Sequence, residues 1–338
     1  MSSRRRLLRR GLGVAVVLLA FVVVLPLLAD YGEVWGEVKE LGVEELGVLA
    51  VATSANLATF GPPLMSVLPG ISFGRAFVVT QASTASTYLA PGGAAVGIAL
   101  LLVLLRRWGY RTADVGVAVA LTGLWNQLVL LGFPAVALAL LTLTGETHSL
   151  LQTVAVIGLV VFVTAIVAFA FALASDRVAR QVGDLLWRLA RLGYRIARRG
   201  EVGWTADAVV AFRATTAALL GRRWHVLTLA TLAGQLTVFG VLLASLRTLG
   251  VTGGDVSLVE AFAAWSLVRL LGSLPITPGG VGVVEVGLTT LLVGFGGGDA
   301  EVVAAVLVYR FLTVVPTLLL GLALGPTVRR RAALTPEG

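Results

Sequence analysis

Apolar runs long enough to cross a bilayer recur throughout this 338-residue chain. About 20 apolar residues suffice for one crossing. Lipid offers the backbone no hydrogen bonds, so only helices and closed barrels span it. Barrel strands alternate apolar and polar residues over about 10 positions, whereas these runs are continuous. The composition is 57% hydrophobic and 13% charged, against about 25% charged in soluble domains. The sequence therefore predicts an all-α polytopic membrane protein forming one integral membrane domain over residues 1–338. Its expected make-up is about six full transmembrane helices plus two broken, re-entrant helical hairpins.

The break that matters most lies within residues 269–295, where Pro275, Pro278, Gly279 and Gly280 interrupt an apolar segment. Proline removes a helical hydrogen bond and clashes with the turn before it. In hydrocarbon, a break survives only where protein or trapped water covers the freed backbone. Glu285 follows closely, and an ionisable residue in a membrane segment points to function. Residues 73–107 repeat the order of parts. A helix rich in serine and threonine leads into Pro91, Gly92 and Gly93, and an apolar helix leads out. Each hairpin is followed by a short loop with an acid (Asp114, Asp299) and a long span with polar residues. Those residues are Asn126 and Gln127 in the first copy, Tyr309 and Arg310 in the second. This predicts an internal repeat, residues 46–143 against 224–325, with Ile98 standing where the second copy has Glu285.

Charge sets the expected topology. Arg4, Arg5, Arg6, Arg9 and Arg10 precede a first span at residues 11–29, read as retained rather than cleaved. Residues 30–45 are acidic and amphipathic and are expected outside. The second span, residues 46–64, carries Asn56, expected to bond between helices. Arg106, Arg107 and Arg111 hold the following loop inside, since basic residues mark the cytoplasmic side. Residues 176–223 carry arginines at helical spacing beside a leucine stripe. They read as a cytoplasmic amphipathic linker against anionic lipid, or simply as a positive-inside loop. Arg329, Arg330 and Arg331 place the C-terminus inside with the N-terminus. The first broken hairpin then starts and ends near inside arginines, and the second near outside loops. If both are re-entrant, they enter from opposite faces, the arrangement of inverted repeats in transporters. The alternative is that each half crosses fully, and at roughly 25 Å for residues 280–296 length does not decide between the two.

Few residues offer catalysis. His148 and His225 are far apart in sequence and lie at membrane edges. No P-loop is present, no paired-carboxylate motif or metal-ligand spacing appears, and there is no cysteine. The expectation is a protein that is not an enzyme and carries no cofactor or metal. The net charge of +8 belongs to topology and not to nucleic acid. An unpaired charge at mid-bilayer costs several kcal/mol on any scale. Glu285 is therefore expected to pair with Arg310, with Arg269 or with both. That pairing is either a static bridge holding the hairpin or part of an anion site. In the second reading the arginines and the amides freed at the PGG break meet an anionic group. Arg75 does similar work in the first hairpin or sits at the inner interface.

The stretch SLPITPGGVGVVEVGLTTLLVGFG, then an acid-containing loop and VLVYRFLTVVP, resembles the transmembrane region of the lysylphosphatidylglycerol synthases, the flippase-like domain of MprF. The earlier LAPGGAAVG fits its first repeat. Pro278, Gly279, Gly280, Gly282, Glu285 and Arg310 match the motif. The resemblance implies an integral membrane protein moving a lipid, or a lipid-linked group, between leaflets. The chain ends shortly after the last span, without the aminoacyl-transferase domain of the full synthase, so lysyl transfer is not carried over.

Together these readings predict a lipid translocase in the plasma membrane of a prokaryote. Arg269, Arg310, Glu285, Asn126, Arg75 and the two PGG breaks (Pro91, Gly92, Gly93; Pro278, Gly279, Gly280, with Gly282) line its path. Its partners are membrane lipids with anionic or zwitterionic head groups, with no nucleic acid, and a homo-oligomer is compatible with it. The alternatives are an accessory protein of cell-envelope glycolipid or glycosyltransferase pathways, and a secondary transporter of a small anion.

Overall fold

The computed structural model describes residues 39–89, 93–143, 206–273 and 278–331, with Gly36 and scattered positions between 156 and 191. The expected first span at residues 11–29, Pro91, Gly92, Pro275, the loop bearing His148 and residues 192–205 of the amphipathic linker lie outside the described residues. The described part is helical, with no strand among it. Its elements are α1 (Val43–Ala58), α2 (Pro62–Val67), α3 (Phe73–Leu89), α4 (Gly93–Arg107), α5 (Thr112–Leu143), α6 (Ala206–Thr248), α7 (Leu258–Gly272), a 3-10 turn (Pro278–Gly280), α8 (Val283–Phe295) and α9 (Asp299–Arg331).

Among the described residues, four stretches are long and apolar enough to cross a membrane: Val43–Val67, Thr112–Leu143, Arg222–Thr248 and Asp299–Leu324. The sequence placed a linker up to residue 223 and a separate span after it. Instead α6 is one helix of 43 residues carrying both. Its first turns, ADAVVAFRATTAALL, are rich in alanine and hold no proline or glycine, so nothing local stops the helix.

Both broken segments fold back on themselves. In the first hairpin the Ser83 hydroxyl donates to the Gly97 carbonyl at 2.8 Å, and a side chain at Gly93 would overlap the Thr87 carbonyl. These pairs straddle one turning point, so α3 and α4 are antiparallel. In the second hairpin a Cβ at Gly272 would lie 2.8 Å from Val284, and one at Gly287 2.9 Å from Val268. One at Gly296 would lie 3.0 Å from the Asp255 carbonyl, so α8 retraces α7 along its whole length. The arms have 17, 15, 15 and 13 residues. The longest spans about 26 Å at 1.5 Å per residue, short of a ~30 Å hydrocarbon core.

The long helices fix which way each hairpin points. Asn56 and Thr59 of the α1 end meet Thr237 of α6, while Leu41 lines one crevice with Thr248 and Leu249 at the far end of α6. These two helices are antiparallel. Gly321 of α9 meets Gln81 of α3, whereas Val314, earlier in α9, clusters with Tyr88 and Leu89; these too are antiparallel. The first hairpin therefore opens at the end holding Arg106, Arg107 and Arg111. The second opens at the end holding Glu40, Glu45 and Glu301. Their tips meet between those ends, where a side chain at Gly279 would overlap the Tyr88 ring.

In lipid, helices associate by close packing and not by the hydrophobic effect. Small residues do this work here. Ala261, Ala263 and Ala264 of α7 and Ala304 and Ala305 of α9 are buried, and a Cβ at Gly321 would collide with Ala85. Phe133, Phe239, Phe262 and Trp265 form an aromatic block where α5, α6 and α7 meet, with centroids 5.3 to 5.8 Å apart. It braces the second hairpin against the long helices.

Candidate functional site

The tip of the second hairpin is built from glycine for conformational reasons. Gly279, Gly280 and Gly282 have φ of 63°, 70° and 84°, a region costing other residues about 1–2 kcal/mol each. Gly282 begins α8, and Glu285 reaches back from the first turn so that its Oε2 accepts from the Gly282 amide at 2.7 Å. That is half of a capping box, closed by the acid side chain alone. The other oxygen, Oε1, accepts from Arg310 Nε at 2.6 Å. Arg310 Nη2 also donates to the Gly279 carbonyl at 3.3 Å. Glu285 and Arg310 are 4% and 5% exposed, so this is a buried pair. One arginine thus holds the tip, and one carboxylate holds both the arginine and the helix start.

Arg269 is not the partner of Glu285. Its Nε reaches Gln235 Oε1 at 3.5 Å, and Gln235 Nε2 donates to Asn126 Oδ1 at 2.6 Å. Asn126 in turn donates to Gln127, at 3.4 Å, and Gln127 to Ser273, at 3.5 Å. This relay ties α7 to α6 and α5 through neutral amides. Among the described residues Arg269 has no carboxylate partner.

Arg269 and Arg310 both line a cavity of about 750 Å³ between α1, α3, α4, α5, α6, α7 and α9. Asn56, Asn126, Gln127 and Gln235 line it, as do threonines and serines of α3, α5, α6 and α9. No carboxylate is among the described residues of its wall; Glu285 faces instead a crevice of about 110 Å³ between α8 and α9. With Arg310 paired to Glu285, the positive charge that no carboxylate among the described residues offsets is that of Arg269, and the cavity is rich in hydrogen-bonding groups.

Of the sequence-predicted residues, Arg269, Arg310 and Asn126 meet at this cavity, with Glu285 behind Arg310. Gly279, Gly280 and Gly282 shape the adjoining tip. Pro278 starts the 3-10 turn, and Gly93 starts α4. Arg75 lies elsewhere: it is exposed at the open end of the first hairpin, 5.8 Å over the Trp108 ring. Asn56 makes the expected interhelical bond, to Thr237 at 3.3 Å, and also faces the cavity. Sequence reasoning missed Gln235 and Tyr88. Gln235 was findable as an amide within an apolar span; the Tyr88 contact depends on folding.

The fold and site define a multi-pass helical membrane protein with two opposed hairpins meeting over a cationic polar cavity. The chain matches the family of the lysylphosphatidylglycerol synthase TM region over residues 10–321, and it belongs to that family. Comparison with curated proteins gave no match.

Proposed function

We propose that this protein is a lipid translocase that carries an anionic or zwitterionic head group through its central cavity while the acyl chains stay in the bilayer. The observation behind this reading is the cavity itself: two arginines and, among the described residues, no carboxylate on its wall, where the opposed hairpin tips meet. Irregular backbone at membrane depth occurs where it lines a cavity, and transporters of inverted-repeat design place their sites at such breaks. Family membership supports a lipid-related role.

In this reading both hairpins are re-entrant, and the two halves, residues 46–143 and 224–325, are inverted repeats. The arginine-bearing end faces the cytoplasm of a prokaryotic cell, as the distribution of basic residues favours. No step of bond chemistry is assigned, and the role is transport and not catalysis.

The test is bilayer crossing of a labelled anionic phospholipid in proteoliposomes. Wild type should carry it, while Arg269→Gln, which strands no carboxylate, should abolish it. Full activity in Arg269→Gln would sink the proposal. The complete pairing of Glu285 with Arg310 favours a second reading, an accessory membrane protein with a static bridge. That reading gains if a folded wild type moves no lipid.

A further inference from the structure

Six of the cavity hydroxyls have committed their hydrogens, and this bears on what the cavity takes. A carbonyl oxygen only accepts, so a hydroxyl bonded to one must be the donor. Thr80 donates to Ala76 at 2.8 Å, Ser83 to Gly97 at 2.8 Å and Thr87 to Thr84 at 2.7 Å. Thr122 donates to Ala118, Thr231 to Leu227 and Thr313 to Tyr309, each at 2.8 Å. All six line the cavity, and each has spent its one proton on the backbone. What they offer a ligand is lone pairs.

The cavity thus has two chemically distinct parts. Arg269 and Arg310 supply the charged donors at the level of the hairpin tips. Thr80, Thr122 and Thr231 lie nearer the arginine-bearing end and supply acceptors. A ligand that satisfies both carries an anion and, a short distance away, a group with several O–H donors. An ammonium group would also donate, but it would share the cavity with Arg269, whose charge no carboxylate among the described residues offsets, while Glu285 is already taken by Arg310, and like charges disfavour each other. A bare phosphate would leave the acceptors unused.

We infer that the head group is a phosphodiester bearing a neutral polyol or sugar, and that cation-bearing head groups are selected against. This rests on the translocase reading and narrows its ligand. Phosphate is bound at Arg269 and Arg310, and hydroxyls donate to the threonine belt.

The experiment has two arms. In proteoliposomes, crossing of labelled phosphatidylinositol and phosphatidylglycerol is compared with phosphatidic acid and phosphatidylethanolamine. In detergent, thermal shift is measured with inositol phosphate and with inorganic phosphate. The expected result is crossing in the order phosphatidylinositol, phosphatidylglycerol, phosphatidic acid, with phosphatidylethanolamine slowest and about tenfold below the first, which is ~1.4 kcal/mol of discrimination. Thr122→Val and Thr231→Val together should lower phosphatidylinositol crossing by a larger factor than phosphatidic acid crossing, erasing the preference between the two. Both changes keep shape and leave the helix ladder intact.

Equal crossing of all four lipids overturns the inference and leaves the translocase reading standing. Stabilisation by inositol phosphate over inorganic phosphate, with no lipid crossing, overturns the translocase reading, keeps the polyol–phosphate chemistry and points to a soluble ligand. Neither crossing nor stabilisation overturns both.

Discussion

The two hairpins start from one sequence pattern and finish as different devices. Both carry a PGG between their arms, and the arms have 17, 15, 15 and 13 residues. In the second, Glu285 is buried and locked to Arg310. In the first, Ile98 holds the corresponding place and is 48% exposed, and the same register sets Gly123 opposite Arg310. Both Ile98 and Gly123 line the cavity. One hairpin is a clamp whose tip is held by charge. The other is a wall of hydroxyls, with Thr80, Ser83 and Thr87 on α3. The two hairpins share a pattern of sequence and differ in what they bring to the cavity: the second brings Arg269 and the clamped tip, the first brings hydroxyls.

The largest effect should come from breaking the clamp. Glu285→Ala leaves Arg310 buried without its carboxylate and removes the cap on α8. Stranding one member of a buried pair costs about 3–5 kcal/mol, so thermal unfolding in detergent should drop sharply. The double change Glu285→Gln with Arg310→Met should recover most of that loss, since no charge is stranded. If the double variant is as unstable as the single, the pair is held by something other than mutual neutralisation. If it folds but no longer moves lipid, the arginine is functional as well as structural. Ile98→Ala in the first hairpin should cost far less, because Ile98 is half exposed.

Next comes the tip. Gly279→Ala combines a left-handed backbone, worth about 1–2 kcal/mol, with overlap of the Tyr88 ring. Adding Tyr88→Ala removes the overlap but not the backbone strain. The double variant should therefore recover part of the stability lost by Gly279→Ala, as read by thermal unfolding. No recovery would mean that the two hairpin tips do not touch. Full recovery would mean that the left-handed conformation is not required.

Much of this was legible in the sequence, for physical reasons. Continuous apolar runs specify helices in lipid without knowledge of packing, and PGG within such a run specifies a break. The cost of an isolated buried charge was enough to predict a partner for Glu285. It was not enough to choose between Arg269 and Arg310. Sequence spacing does not say which side of a hairpin arm faces which helix. Arg269 turned out to meet Gln235, which stands on a helix beyond the broken element. The continuity of α6 was missed because polarity marks a membrane boundary, while a helix crosses that boundary freely if no proline or glycine stops it. Arg75 was grouped with the site by its place in a repeat, and its surroundings put it at the surface.

Arg269→Gln sharpens the division of labour from the other direction. Arg269 strands no carboxylate when removed, so stability should change by less than about 1 kcal/mol, while lipid crossing should be lost. A large loss of stability would make Arg269 part of the clamp.

The smallest effect is expected at Arg75. It stacks on Trp108 where α3 and α4 open, an exposed cation–π contact worth about 0.5–1 kcal/mol. Arg75→Ala should shift unfolding by no more than that and leave crossing rates and lipid preference unchanged. Arg75→Lys should keep part of the stacking energy. A crossing defect in Arg75→Ala that Arg75→Lys rescues would place a cation at the mouth of the first hairpin in the path. The first hairpin would then supply charge as well as hydroxyls, and the contrast with the second would reduce to which end of each hairpin carries its cation.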